Sequence, residues 1–168
     1  MAISGLVITY NEEKNIGKCI DALFEVCDEV IIVDSLSADN TVKIAEEKGA
    51  KVISQKFLGD GPQRTHGLPF CKNDWVLNLD ADEFLDKDAK EFILKGKYLE
   101  GDYDAFSFRV KNFLADELID FSGWYPDHKV RFFNKKTAQP SPAKVHQKIE
   151  TTNEKKVAVH ILHYGWES

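Results

Sequence analysis

Cysteine is scarce in this 168-residue chain: Cys19, Cys27 and Cys71 stand at spacings that suit neither a zinc centre nor a redox pair. Buried, reduced thiols in a cytoplasmic protein are the expectation. No apolar run reaches the roughly 20 residues of a membrane span, and Met1-Ala2-Ile3-Ser4 enters a strand with no signal-peptide pattern. No transmembrane segment is expected. Basic charge is also short, with Lys+Arg 22 against Asp+Glu 28 and a net charge of -6, so the overall field does not favour nucleic acid. Glycine-rich phosphate cradles are missing, because neither the dinucleotide fingerprint nor the P-loop pattern occurs. A phosphate ligand would need a metal or a local cation. Repeats, low-complexity tracts and linkers are absent too, and a composition of 43% hydrophobic and 30% charged residues describes one globular domain spanning 1–168.

What the chain does have is a short apolar run that ends in acid. Trp75-Val76-Leu77-Asn78-Leu79 has strand composition without strict alternation, the pattern of a strand buried on both faces of a parallel sheet. It stops at Asp80-Ala81-Asp82-Glu83. Ligands of parallel sheets bind at the strands' carboxyl ends, and two carboxylates there can hold a hard divalent cation, Mg2+ or Mn2+, that bridges to phosphate oxygens. The same spacing recurs at Asp86-Lys87-Asp88 and Asp102-Tyr103-Asp104, read as a helix start and a solvated loop, so it carries meaning only at the end of a buried strand.

Strands are expected at Ile3–Thr9, 30–34 and 50–54, with helices over 14–27 and from an N-cap at Ser37 to a stop at Gly49. This alternation implies a parallel sheet with right-handed crossovers. A loop over 59–62 precedes a short helix over 63–71, broken near Gly67 and Pro69. After the 75–79 strand come a helix over Lys87–Leu94 and strands at 105–110, 130–133, 144–149 and 157–162. The second half loses the alternating rhythm and is expected to lie over the site as an irregular β-rich layer.

Parallel strands force Thr9-Tyr10-Asn11-Glu12, Asp34 and Asp80-Ala81-Asp82 to one edge. An aromatic ring beside a carboxylate suits a nucleobase and its ribose, and the acidic pair suits a diphosphate; Asp34 alone reads equally as a turn residue. Arg64 is the best-placed cation for phosphate, although a lone arginine is more commonly a surface group.

Collectively these segments resemble the glycosyltransferases of the large inverting family 2, which have the GT-A fold, a Rossmann-like, mostly parallel sheet flanked by helices. Leu6-Val7-Ile8-Thr9-Tyr10-Asn11-Glu12-Glu13 looks like the opening strand and nucleotide-contact turn, and Val33-Asp34-Ser35-Leu36-Ser37-Ala38-Asp39-Asn40-Thr41 like the second-strand signature. Gln63-Arg64-Thr65-His66-Gly67-Leu68 is similar to the Arg-containing helix, with His66 where asparagine is frequent. Asp74 to Glu83 resembles the metal motif. The resemblance is close over about 3–85, which it marks as the nucleotide-sugar-binding half, leaving 86–168 as the acceptor side. There Gly123-Trp124-Tyr125-Pro126-Asp127, Lys129-Val130-Arg131-Phe132-Phe133, Val145-His146-Gln147 and His163-Tyr164 look like a subgroup that includes lipopolysaccharide core-sugar transferases. Gln147 departs from it, since glutamate is common at that place and glutamine cannot act as a base. The chain also stops at Ser168, where relatives tend to continue with further helices.

The resemblance implies inverting transfer of a sugar from a nucleotide-diphosphate donor, a UDP-sugar, to a saccharide or lipid-linked acceptor in cell-surface polysaccharide or lipopolysaccharide biosynthesis. Thr9, Tyr10, Asn11, Glu12, Asp34, Arg64, Asp80 and Ala81 would bind the donor. Asp80 and Asp82 would hold the metal that stabilises the leaving diphosphate, with His146 completing its shell or touching phosphate, or equally a neutral loop histidine, while a carboxylate removes the acceptor proton. Asp127, the carboxylate of a Trp/Tyr/Pro-rich loop, is the first candidate for that base and Glu150 the second; a turn aspartate after proline is the plainer alternative. His160 and His163, three apart on a strand, would face opposite sides and make no ready metal pair. Lys129, Arg131, Lys135, Lys136, Lys144 and Lys148 make the second half basic, as a solvated face or as a peripheral contact for anionic headgroups or a phosphorylated acceptor. Two other classes compete. A sugar-phosphate nucleotidyltransferase would carry a glycine-rich basic loop where Tyr10-Asn11-Glu12-Glu13 stands, and Gln147 with the short C-terminus would suit a non-catalytic nucleotide-sugar-binding module. Phosphoaspartate hydrolase chemistry is excluded locally by Phe84, where Thr or Val is needed.

Overall fold

The computed structural model describes residues 2–114, 117–119, 127–144 and 148–165. In chain order it contains β1 (Ile3–Thr9), α1 (Ile16–Leu23), β2 (Glu29–Asp34), α2 (Thr41–Glu47), β3 (Lys51–Ser54), α3 (Asp60–Gly67) and β4 (Trp75–Asn78). Then follow β5 (Glu83–Leu85), α4 (Lys87–Leu94), β6 (Ala105–Leu114), β7 (Glu117–Ile119), β8 (Asp127–Asn134), β9 (Gln139–Pro140), β10 (Ile149–Glu150) and β11 (Glu154–Gly165). A nine-stranded sheet runs in the order β3-β2-β1-β4-β8-β6-β11-β5, with β7 paired to β6. β3, β2, β1 and β4 are mutually parallel, β8 is antiparallel to both β4 and β6, and β11 runs parallel to β6.

The apolar strands are buried on both faces, as their continuous hydrophobicity requires. Ile3, Val7, Val30 and Ile32 point into a core shared with Ile16, Cys19, Ile20 and Leu23 of α1, while Leu6, Ile31 and Val33 point to the opposite core beside Leu68. Burial pushes the Cys19 thiol up to about 12, so it is an inert core group as the sequence implies. On the α4 side, Trp75, Tyr98 and Phe132 form a triangle with ring centroids 4.9–5.1 Å apart, which welds β4 to β8.

Several local expectations are corrected. α1 begins at Ile16 and its last turn is irregular, although Cys27 still donates its N–H to the Leu23 carbonyl. Ser37 is not a helix cap; α2 starts at Thr41, and the Ser37 hydroxyl turns back to Asp34. The 59–62 loop is instead the first turn of α3, because the backbone carbonyls of Lys144 and Ala143 accept the N–H groups of Asp60 and Gly61. Main-chain oxygens thus do the work of a capping side chain. A Cβ at Gly61 would lie 2.0 Å from the Ser141 carbonyl oxygen, and one at Gly67 2.6 Å from Val33, so glycine lets the first turn of α3 approach the 141–143 backbone and its last turn approach the sheet. Of the expected 144–149 strand, Ile149 belongs to the two-residue β10, Lys144 and Lys148 are not in strands, and 145–147 lie outside the described residues. The β-rich second half is not a separate layer: β6, β8 and β11, of 10, 8 and 12 residues, extend the same sheet. No helix among the described residues is long and apolar enough to cross a membrane.

Candidate active site at the strand carboxyl ends

The parallel register pairs Thr9 with Asp34 and Leu6 with Asn78, so β1, β2 and β4 end along one edge. A cavity of about 600 Å³ opens there, walled by Thr9, Tyr10, Glu12, Arg64, Asp80 and Asp82, with Ala81 at its floor and exposed Phe57 at its rim. A second cavity of about 520 Å³ shares Asp60, Arg64 and Asp80 with the first and continues past Asp127, Lys129, Arg131 and Lys148. Two joined cavities divided by an acidic turn can seat a donor and an acceptor side by side.

Arg64 is not a surface group. It is 5% exposed, donating to Asn78 Oδ1 at 2.8 Å and to Asp80 Oδ1 at 2.9 Å. Burial alone would raise the Asp80 carboxyl, but Arg64 and Arg131 outweigh it and hold it down at about 2. Glu12 moves the other way: burial raises it, and the nearby Asp82 and Asp80 add to the rise against a hydrogen bond from Asn15. Acid density at this edge is therefore high.

Asp82 meets a partner from far along the chain. His163 Nε2 lies 3.1 Å from Asp82 Oδ2, and His163 Nδ1 lies 2.9 Å from Asn112 Oδ1. With Nδ1–H donating to Asn112, a neutral imidazole turns its Nε2 lone pair toward the carboxylate, and two lone pairs so close need a cation or a proton between them. The hydrogen bond to Asp82 accordingly raises the His163 pKa. Carboxylate and imidazole facing one another fit a divalent ion. Among the described residues no three His, Cys, Asp or Glu side chains converge on one point, so such an ion would take its remaining ligands from water and phosphate, the habit of Mg2+.

The other expected site residues divide. Asp34 is 1% exposed and lines neither cavity; its carboxylate accepts from Thr9 Oγ1 at 2.7 Å, Ser37 Oγ at 2.6 Å and the Ser37 N–H at 2.8 Å. Asn11, with φ 51°, also points away from the cavity and staples two loops, its N–H on Ser37 Oγ and its Oδ1 on the Ala38 N–H. Asp127, exposed at the start of β8, lines the second cavity together with Asp80. Glu150 does not join them. Ile149 points inward, so strand alternation turns Glu150 out toward a different cavity beside Lys135 and Thr152. His146 and Gln147 lie outside the described residues.

Comparison with known proteins decides the family. Residues 4–152 match the family described as glycosyl transferase family 2. The chain belongs to that family. An uncharacterized glycosyltransferase of Rickettsia typhi is 38% identical over 131 residues, covering 78% of this chain and 42% of that protein. The lipopolysaccharide core biosynthesis glycosyltransferase LpsC of Rhizobium meliloti is 36% identical over 98 residues, 55% of this chain and 36% of LpsC. The chain spans less than half the length of the curated relatives it matches. Among solved structures, Staphylococcus aureus TarS 1-349 with UDP-GlcNAc superposes over 100% of this chain and 60% of its own, with TM-score 0.67 at 19% identity, a likeness of fold. Glucosyl-3-phosphoglycerate synthase of Mycobacterium tuberculosis, solved with Mn2+ and UDP, is 30% identical over 67% of this chain and 43% of its own, with TM-score 0.50.

Four residues in and around this family 2 cleft, His163, Glu83, Arg131 and Gln63, make contacts that the sequence did not reveal. His163 reaches Asp82 because β11 pairs antiparallel with β5 and sets His163 opposite Glu83. β5 is only three residues long and reads as part of the following helix, so this pairing had no local signal. Glu83 and Arg131 were seen as parts of motifs, without their contact. Gln63, fully buried, holds the 55–58 loop by accepting the Leu58 N–H and donating to the Gln55 carbonyl.

Proposed function

We propose that this family 2 domain transfers a sugar, with inversion, from a UDP-sugar to a saccharide or lipid-linked acceptor in cell-surface polysaccharide or lipopolysaccharide biosynthesis. The observation that carries the reading is the pair of adjoining cavities at the ends of β1 and β4, with Asp80 lining both and Asp82 the first. Tyr10, 61% exposed at the first cavity, offers its ring to the base. Asp34 serves the nucleoside from behind, holding Thr9 and the 35–37 turn in place. Arg64 meets the diphosphate. Asp82 and His163 hold the divalent ion, Mg2+ or Mn2+, with Asp80 beside them and His146 as the third ligand implied by the family. When bound, that ion supplies positive charge to the departing diphosphate.

Asp127 takes the acceptor proton. It lines the second cavity with Asp60, Asp80 and Glu154, beside Lys129, Arg131 and Lys148 and outside the cavity that Asp82 lines, on the side from which the hydroxyl attacks the anomeric carbon. A cytoplasmic location with peripheral contact at the inner membrane face, through the basic second half, belongs to the same reading. The test is thermal shift with UDP and Mn2+, alone and together. Ligand at a hundred times its Kd stabilises the folded state by about 2.7 kcal/mol. Asp82→Asn should remove the Mn2+-dependent part and leave the ligand-free melting temperature nearly unchanged; a variant keeping the full shift rules Asp82 out as a ligand.

A further inference from the structure

The turn that carries Asp80 and Asp82 is closed twice by one residue. The Glu83 N–H donates to the Asp80 carbonyl at 3.0 Å, and Glu83 Oε1 accepts the Asp80 N–H at 2.9 Å. Nothing in this short loop could hold Glu83 in that pose unaided, since a carboxylate 2% exposed needs compensation for its lost water. That compensation is Arg131. Its Nε and Nη2 meet Glu83 Oε1 and Oε2 at 3.0 and 3.1 Å, a bidentate fork, and Nη2 also comes within 3.8 Å of Asp80 Oδ2.

Arg131 reaches this place through an irregularity in β8. Phe132 pairs with Phe106 and Val130 pairs with Ser107, so Arg131 is the extra residue of a bulge. Bulges re-aim one side chain without disturbing the flanking pairs. Here the flanking pairs bury Phe132 and Phe133, while Arg131 is sent beneath the acidic turn. The Tyr164 N–H of β11 fixes the Asp82 carbonyl at 2.9 Å from the other side.

We propose that Arg131 and Glu83 are positioning residues for the donor and metal site: their buried ion pair sets the shape of the 80–83 turn and so the aim of both aspartates. Neither residue needs to touch the donor. The inference rests on the reading of the first cavity as a UDP and divalent-ion site.

Replacing both partners of a buried ion pair by apolar residues of similar volume is commonly neutral or stabilising, whereas removing one leaves a buried charge alone. The double variant Glu83→Met/Arg131→Met should therefore fold with wild-type thermal stability or better, and yet bind UDP with Mn2+ at least tenfold more weakly by calorimetry. Uridine, which carries no phosphate and calls for no metal, should bind both proteins alike. Arg131→Lys keeps the charge but loses the fork, and should fall between them; it serves as the main test if the double variant does not fold. Wild-type affinity for UDP with Mn2+ in either folded variant means that the pair is merely structural. Equal loss of uridine binding also overturns the proposal, because it signals general distortion of the cleft. If wild-type protein itself shows no Mn2+-dependent UDP binding, the reading of the cavity fails, and the proposal with it.

Discussion

β2 ends on Asp34 and β4 is followed two residues later by Asp80, and in sequence the two turns look alike. In the fold they are opposites. The Asp34 carboxylate is taken up by donors within its own strand pair and turn, Thr9 and Ser37, and is buried as a fastener. The Asp80 carboxylate stays open to the cavities because its partners are remote arginines, Arg64 from α3 and Arg131 from β8. An acid at the end of a strand stays open to a cavity when the residues that neutralise it come from elsewhere and leave one side free. Locally satisfied, it becomes part of the scaffold.

The comparison breaks most visibly on the catalytic side. Asp127→Asn should leave UDP affinity intact while lowering transfer about a hundredfold or more, since a base acts chiefly in the transition state. Steady-state kinetics against calorimetry separate the two effects, and unchanged transfer would move the base elsewhere. Next in size, Arg64→Ala strips a charged partner from Asp80 and a donor from Asn78; about 1.5–3 kcal/mol of unfolding free energy should be lost, with UDP affinity falling as well. Urea titrations measure the first quantity. Loss of affinity without loss of stability would make Arg64 a ligand group only.

Asp34→Ala sharpens the contrast from the other turn. Its effect on UDP should be about tenfold, or roughly 1.4 kcal/mol, and should come with lower stability, because three internal hydrogen bonds disappear together. A purely local loss of affinity at unchanged melting temperature would mean that Asp34 touches the nucleoside directly.

Acid should act on the β4 turn through Asp80. Its folded-state pKa lies below the ordinary 3.8, at about 2, so the stability it contributes is complete above about pH 4 and is lost as pH falls toward 2. Denaturation midpoints measured between pH 5 and 2 should decline more steeply for wild type than for Asp80→Asn; parallel curves would mean that the arginines contribute no net stabilisation. The smallest effect is expected at Glu150, turned away from both cavities: Glu150→Gln should change stability by no more than about 0.5 kcal/mol and leave transfer at its wild-type rate.

Much of this arrangement was legible in the sequence because it is periodic or local. Apolar runs ending on Thr9, Asp34 and Asp80 announced buried strands, and the helices between them required parallel pairing, which brought Tyr10, Glu12 and Asp82 to one edge without any knowledge of distances. The helix expected over about Lys87 to Leu94 forms there, with Asp86 capping it by accepting the Ala89 N–H. Ser37 misled for a related reason: a hydroxyl that suits a helix cap suits an aspartate turn equally well, and only Asp34 at 2.6 Å settles which.

What the chain alone determined, then, is the set of groups at the ends of the parallel strands, since the two-residue period and the crossover rule leave them no other edge. Tertiary structure decided which of those groups line the cavities. The partners that orient Asp80 and Asp82 are Arg131 and His163, 51 and 81 residues away from them, and pairing at that separation leaves no periodic trace in sequence. It depends on a bulge in β8 and on a three-residue strand laid antiparallel to β11, both of which gain their stability only once the whole sheet has formed.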